Sequence, residues 1–296
     1  MDWTENNILA ITTRSVFFFD EEFKSPCERI CKQLNIDLFP DYDGKSYRSF
    51  DLEKNRWVQK DLSDIQRIEG STLMFASEII KSFEEAPSNI LFVFDRGHFK
   101  GLVHFTDYRR KIVYEDLYKN LFEFENNLRQ LLTIRGFGRE ALIKYFEYKT
   151  QKCKQHADRY NKLKLKIERE QNNNPMELLF TKDLLEFCYS SFHKTEKPFN
   201  IVHCNKEAIS QLRNIIMHNK DNVGLSSTMP HDLGKFKDKF FHQVQVFRET
   251  FNILNMEIEK HEVEERPNLN RMWLQHFKKL SDDALKSLFF DYQKHR

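Results

Sequence analysis

Leu212-Arg213-Asn214-Ile215-Ile216-Met217-His218-Asn219 closes one apolar-periodic segment and precedes a stretch rich in turn residues. Spaced at about 100° per residue on a helix, Ala208, Ile209, Leu212, Ile215 and Ile216 fall on one side; Arg213, Asn214, Met217 and His218 fall on the other. Asn214 and His218, four apart, stack on the polar side, and Arg213 stands beside Asn214 with a stem long enough to converge on the same point. A guanidinium, an amide and an imidazole gathered this way suit a phosphate. A similar Arg-to-His spacing recurs at Arg271 and His276, but no Asn follows that Arg, so the first pair carries the argument.

Working outward, helical periodicity dominates from residue 113 onward. Leu117, Leu121, Phe124, Leu128, Leu131 and Leu132 form one stripe of an amphipathic helix. Glu125 and Arg129 at its edge suit an exposed i,i+4 ion pair or, alternatively, an active site beside Arg213. After Gly136-Phe137-Gly138 a single helix is expected over 139–171, with ten Lys/Arg against five Asp/Glu. Interleaved tyrosines make it a candidate RNA-backbone surface, against the plainer reading of a solvated basic face. Further helices are expected over 176–193, 205–218 and 232–260, the last with a stripe of Phe236, Phe240, Phe247, Phe251 and Leu254. Beyond Arg266-Pro267 lies a short appendage whose Trp273, Phe277, Leu280 and Leu285 are available to dock.

Arg213-Asn214-Ile215-Ile216-Met217-His218 resembles the Arg-x(4–6)-His signature of the HEPN superfamily, in which Asn, Asp or His often follows the Arg. The likeness is to the ribonuclease branch found in toxins and phage-defence proteins; residues 113–132 are similar to the opening helix of such domains, and together they span about 114–260. The resemblance implies an antiparallel helical bundle and a metal-independent endoribonuclease, a toxin or antiviral effector, with Arg213, Asn214 and His218 catalytic. RNA cleavage without metal needs proton transfer near neutral pH, which His supplies, and a cation for the phosphoryl transition state, which Arg supplies. One chain offers one motif His where acid and base are both wanted. The resemblance therefore implies a homodimer with a composite site, with no cofactor and no metal.

The amino-terminal part is α/β. Residues 8–19 read as buried strand, Ser25-Pro26 as a helix start continued by Cys27–Leu34, and Asp41-Tyr42-Asp43-Gly44 as a turn. A helix over 73–85 leads into Asn89–Asp95, the turn Arg96-Gly97-His98, and Lys100–Thr106. That is a hairpin, and Asp107 is placed to cap the next helix. This order, with Gly101-Leu102-Val103-His104-Phe105-Thr106-Asp107-Tyr108 at its end, resembles one cystathionine-β-synthase (CBS) motif. In adenosine-ligand-binding members the Thr/Ser and Asp of that segment contact ribose and phosphate, which implies an adenine nucleotide at Thr106 and Asp107. His104 stands where an earlier hydroxyl residue is usual, and Asp107 as a plain cap is the competing reading.

The expected organisation is thus α+β: a CBS-like regulatory domain over 1–112, a HEPN-like helical bundle over 113–264, and an appendage over 265–296. With 296 residues, 28 Phe and only 8 Gly, the chain suits packed, helix-rich domains. Net charge is +2, so any RNA contact must be local. Cys27, Cys31, Cys153, Cys188 and Cys204 form no Cys-x-x-Cys pair, which suits a reduced cytoplasm. Cys27 and Cys31, four apart, lack the matching ligands of a metal site and read as thiols in the core or on the surface. Neither a signal peptide nor a membrane span is expected. The rival to the ribonuclease is a non-catalytic nucleotide-binding or protein-interaction module working with a regulatory partner. A DNA nuclease or metal hydrolase is weaker, because no carboxylate–His cluster stands at ligand spacing.

Overall fold

The computed structural model describes residues 3–34, 36, 38–42, 44–86, 89–170, 174–190, 192–193, 199, 206–218 and 230–278. Within them the protein is mixed α+β, with two three-stranded sheets and eight α-helices, and about 62% helical. The chain forms two compact units, residues 2–123 with 203–250 and residues 124–202 with 251–296.

In the first unit, helix α1 (Lys24–Leu34) starts with Pro26 in its opening turn, as the Ser-Pro pair predicts. Its Cys27 and Cys31 are buried with Phe19, Phe39 and Phe50, and neither is in a disulfide, so they are core groups. Strands β1 (Leu38–Pro40), β2 (Ser46–Asp51) and β3 (Arg56–Asp61) form an antiparallel meander that the mixed pattern of the sequence does not assign. Gly44, at φ +63°, closes the turn before β2 and donates to the Asp41 carbonyl at 3.0 Å.

The second sheet comprises β4 (Arg67–Glu69), β5 (Ile90–Asp95) and β6 (His98–His104), with helix α2 (Ser77–Glu85) between β4 and β5. Strand β5 is central, parallel to β4 and antiparallel to β6, which is why Leu91–Phe94 reads as an unbroken apolar run. The two-residue turn Arg96-Gly97 has positive φ at both positions, the geometry that matches the twist of a tight hairpin. The hairpin is therefore where the sequence places it, and α2 starts at Ser77 rather than 73.

Residues 8–19 differ from the expected strand. Ile8–Ala10 is a 3-10 turn, and only Thr13 bridges the sheet, exchanging both backbone hydrogen bonds with Leu102 at 2.8 and 3.0 Å. The bridge forms because Gly101, at φ +150°, has no Cβ; one built there would collide with the Thr13 carbonyl oxygen. The apolar residues of this run serve the core, with Ile8 and Ile11 fully buried.

Helix α3 (Lys111–Ile134) follows a 3-10 turn over Phe105–Arg109. Its stripe of Leu117, Leu121, Phe124, Leu128, Leu131 and Leu132 is buried as expected. On the same side of its first half, Asp116 and Asn120 are also buried. Asn120 exchanges two hydrogen bonds with the backbone of Thr4, at 2.6 and 3.0 Å, and Asp116 accepts from the Asn6 N–H at 2.7 Å and from its amide. Nearby, Arg248 reaches Glu5 at 3.4 Å and Trp3 packs edge-on to Phe247. Burial pushes the Glu5 pKa up, against the pull of Arg248.

Helix α7 (Lys206–His218) and the first part of α8 (Pro230–Phe277) complete this unit. Phe240 and Phe241 join Phe83, Phe105 and Tyr108 in an aromatic cluster. The buried Tyr108 hydroxyl donates to the Met74 carbonyl, and burial raises its pKa well above the ordinary phenol value. Lys237 is also buried; its ammonium donates to the Phe83 carbonyl at 2.6 Å and to Asn89 at 3.1 Å.

In the second unit the helix expected over 139–171 is two. α4 (Arg139–Lys152) and α5 (Ala157–Arg169) are separated by a 3-10 turn at Lys154–His156. Cys153, at φ −123° and ψ 79°, leaves helical geometry, and the halves pack through Phe146 and Tyr160, each fully or nearly fully buried. The helix expected over 176–193 is a 3-10 turn at Pro175–Leu178 followed by α6 (Thr181–Cys188).

Arg129 is not the exposed partner that its spacing suggests. It pairs with Glu125 at 3.3 Å while donating to the carbonyls of Met176 and Leu179, and both side chains are largely shielded. Arg135 binds Glu257 at 2.6 Å, joining α3 to α8. Finally, α8 continues through Pro267 rather than ending there. Proline deprives only the Val263 carbonyl of its helical donor, and exposed Val263 leaves that oxygen near water. Of the residues expected to dock beyond it, Leu280 and Leu285 lie outside the described residues, as do the side chains of Trp273 and Phe277.

Candidate functional site

Helix α7 has the two faces expected of it. Ala208, Ile209, Leu212 and Ile216 are buried and Ile215 is partly buried, while Asn214 and Met217 are exposed and Arg213 is half-buried between them. The apolar residues recur at three- and four-residue steps, so burying them fixes the rotation of the helix and with it the direction of the polar side. Gln211 strengthens that fixation, donating to Glu207 at 3.0 Å and accepting from Gln243 of α8 at 2.8 Å. His218 is the last residue of α7, four positions after Asn214; its side chain lies outside the described residues.

Beside α7 is a groove of about 700 Å³, lined by Arg109, Lys111, Tyr114, Glu115, Tyr118, Lys119 and Ile216. Ile216 is one helical turn beyond Arg213, a rise of about 4.5 Å. The other lining residues come from the 3-10 turn before α3 and from the first turns of α3, on the side opposite Val113, Leu117, Asn120 and Phe124. Glu115 accepts from Lys111 at 3.0 Å. Motif and stripe patterns in the sequence do not single these residues out. The available signal is Tyr114 and Tyr118 at i,i+4 between Lys111 and Lys119, on the outward side of a strongly amphipathic helix.

Thr106 and Asp107 are adjacent in sequence but occupied differently. Asp107 accepts from the His104 backbone N–H at 2.8 Å and from Arg110 at 2.7 Å, so both oxygens are engaged and it closes a capping box around the 3-10 turn. Thr106 holds the His104 imidazole, Oγ1 to Nδ1 at 2.6 Å. Asp107 lines a cavity of about 220 Å³ with Thr13, Ser15, Phe17, Leu38 and Leu102 among its other walls, whereas Thr106 faces a small cleft with Tyr108, Arg109 and Phe236. His104 is thus the N-cap and Asp107 the third residue of the 3-10 turn rather than the cap of α3, and Thr106 and Asp107 do not line one pocket.

Part of the basic stretch of α4 and α5 is engaged within the protein. Lys149 binds Glu186, Arg159 binds Asp183, Lys164 binds Glu147 and Glu168, and Arg139 donates to the carbonyls of Ile167 and Glu170. Asp183 is buried, and burial raises its pKa despite Arg159. Burial also raises Tyr145 and lowers His193, whose ring sits among Phe137, Phe187 and Phe192. The Lys149–Glu186 and Arg159–Asp183 pairs tie α4 and α5 to α6.

Among the described residues no group of three or more His, Cys, Asp or Glu side chains is placed to hold a metal ion, and no helix is long and apolar enough to cross a membrane. No protein-family model, no curated protein and no solved structure matches the chain.

Proposed function

We propose that the protein is a metal-independent endoribonuclease of HEPN type, a toxin or antiviral effector whose amino-terminal α/β portion is regulatory. The observation that carries this reading is α7. Its buried apolar side fixes a polar side bearing Arg213 and Asn214, with His218 one turn on at the helix end, next to a groove lined by cations and tyrosines. In this mechanism Arg213 binds the scissile phosphate and its developing charge, and Asn214 orients the phosphate or the imidazole. His218 transfers protons, as base toward the 2′-hydroxyl in one protomer and as acid toward the leaving 5′-oxygen in the other. A homodimer therefore supplies the second motif helix. The α2–β5–β6 order supports the CBS-like reading of the regulatory part.

The test is cleavage of total RNA by purified protein in chelator, with the product ends mapped. Arg213→Ala and His218→Ala are expected to abolish formation of cyclic-phosphate ends while leaving the circular dichroism spectrum unchanged. Undiminished cleavage by both variants refutes the assignment. A second reading, a binding module without turnover, draws on the same groove and predicts RNA or nucleotide binding with no new ends in any variant.

A further inference from the structure

The groove beside α7 contains a cation whose donors the described protein does not satisfy. Arg109 Nε and Nη2 are shielded from solvent, yet neither has a hydrogen-bond partner among the described residues. Native proteins pair nearly all such donors, and leaving them unpaired on a charged group is especially costly. Three cations, Arg109, Lys111 and Lys119, face one carboxylate, Glu115, and Lys111 already holds it. Neither Arg109 nor Lys119 makes an ion pair among the described residues. In α4 and α5, by comparison, Arg139, Lys149, Arg159 and Lys164 are each paired with carboxylates or carbonyls.

The walls between the cations are aromatic. Tyr118 is 49% exposed, and Tyr114 stands one turn before it on the same side of α3. An exposed ring flanked by cations is the composition used to hold unpaired nucleotides, the base stacking on the ring and the phosphate meeting the charge. At about 700 Å³ the groove lies within the ordinary range of ligand sites.

We propose that this groove seats a single-stranded RNA segment, with a backbone phosphate drawn to the exposed Lys119 and the charge of Arg109 behind it, and a base against Tyr118. This rests on the ribonuclease reading and names how its substrate is held. A duplex fits the chemistry poorly, because its bases stack on one another and present no free face to Tyr118.

The experiment is fluorescence anisotropy with a labelled unstructured 12-nucleotide RNA and its duplex, in chelator, using full-length His218→Ala protein so that turnover does not blur binding. Tyr118→Ala is expected to weaken single-strand binding about tenfold, the scale of one base stack. Lys119→Glu is expected to weaken it and reduce the salt slope by about one or more. Both side chains are exposed, so both variants should melt as their parent does, and Lys54→Glu, on the β2–β3 turn, should bind as the parent does. The duplex should bind at least about tenfold more weakly. Absence of single-strand binding, equal affinity for the duplex, or parent-like affinity in both groove variants overturns the proposal. The same substitutions in protein retaining His218 separate the two claims. Groove variants that lose binding when no protein cleaves keep the groove and remove the nuclease. Cleavage lost only in His218→Ala, with groove variants binding and cleaving normally, keeps the nuclease and removes the groove.

Discussion

Asn120→Asp is nearly isosteric, which makes its consequence unusually clean. Asn120 is fully buried, and its amide nitrogen donates to the carbonyls of Thr4 at 2.6 Å and Asp116 at 2.9 Å. An oxygen in that position faces two acceptors, with the Asp116 carboxylate on the next turn. The introduced carboxyl therefore stays protonated in the folded protein, and its folded pKa rises above the unfolded value of about 3.9. The folded state then binds more protons than the unfolded state, so stability is lost as pH rises from the unfolded pKa toward the folded one. At about 1.4 kcal/mol per pH unit the proton term reaches roughly 4 kcal/mol at pH 7, with about 1 kcal/mol more for the lost hydrogen bond. Urea denaturation at pH 7 and pH 5 is the assay. The deficit of Asn120→Asp relative to the parent should shrink by roughly 2–3 kcal/mol at the lower pH. Asn120→Ala should show a deficit that does not change with pH. A pH-independent deficit for Asn120→Asp, or none, would refute the argument that Asn120 spends its donors on those two carbonyls.

Gly101→Ala should cost about 2–4 kcal/mol, since the new methyl group meets the Thr13 carbonyl and sits at φ +150°; an unchanged urea midpoint would show that the Thr13 bridge is dispensable. Lys237→Met keeps the aliphatic stem but strips the Phe83 carbonyl, in the last turn of α2, of its charged donor. The expected loss is about 1.5–3 kcal/mol by thermal melting, and a melt within a degree of the parent's contradicts it. His193, with its pKa lowered by burial, protonates in the unfolded state first, so stability falls as pH drops below about 6.5. His193→Phe, surrounded by three Phe rings, should flatten stability between pH 7 and 5.5; an undiminished slope places the titration elsewhere.

The parts of the fold legible in sequence are those where local chemistry and burial agree. Arg96-Gly97 supplies the positive φ values of a tight hairpin, and the flanking residues are apolar enough to make β5 central. The spacing of Ile209, Leu212 and Ile216 likewise sets the rotation of α7. Other features depend on partners distant in sequence. Residues 8–19 carry a strand-like composition, but a single close approach at Gly101 decides where they pair. Nothing local to Cys153 signals a break, because the turn is stabilised by α4 packing back on α5. Pro267 is a strong local stop signal that fails for the converse reason: it removes one backbone donor from a helix made continuous by its other bonds. The inward Asp116 and Asn120 are visible as polar residues on an apolar side, yet their partners, Thr4 and Asn6, lie more than a hundred residues away.

The same separation governs where nucleic acid is to be sought. Cation density in the sequence points to residues 139–171, and net charge points nowhere. What matters physically is the charge left over after the protein has paired its own ions. Glu147, Asp183 and Glu186 take up cations of α4 and α5 with tertiary contacts that no local window reveals. Arg109 and Lys119 are sparse, but no carboxylate among the described residues meets them. Because α3 turns Asp116 and Asn120 inward to hold Thr4 and Asn6, it must turn Tyr118 and Lys119 outward toward the groove. The tether that fixes one side thereby fixes the other, and loosening it should degrade binding in the groove even though no tether residue lines it.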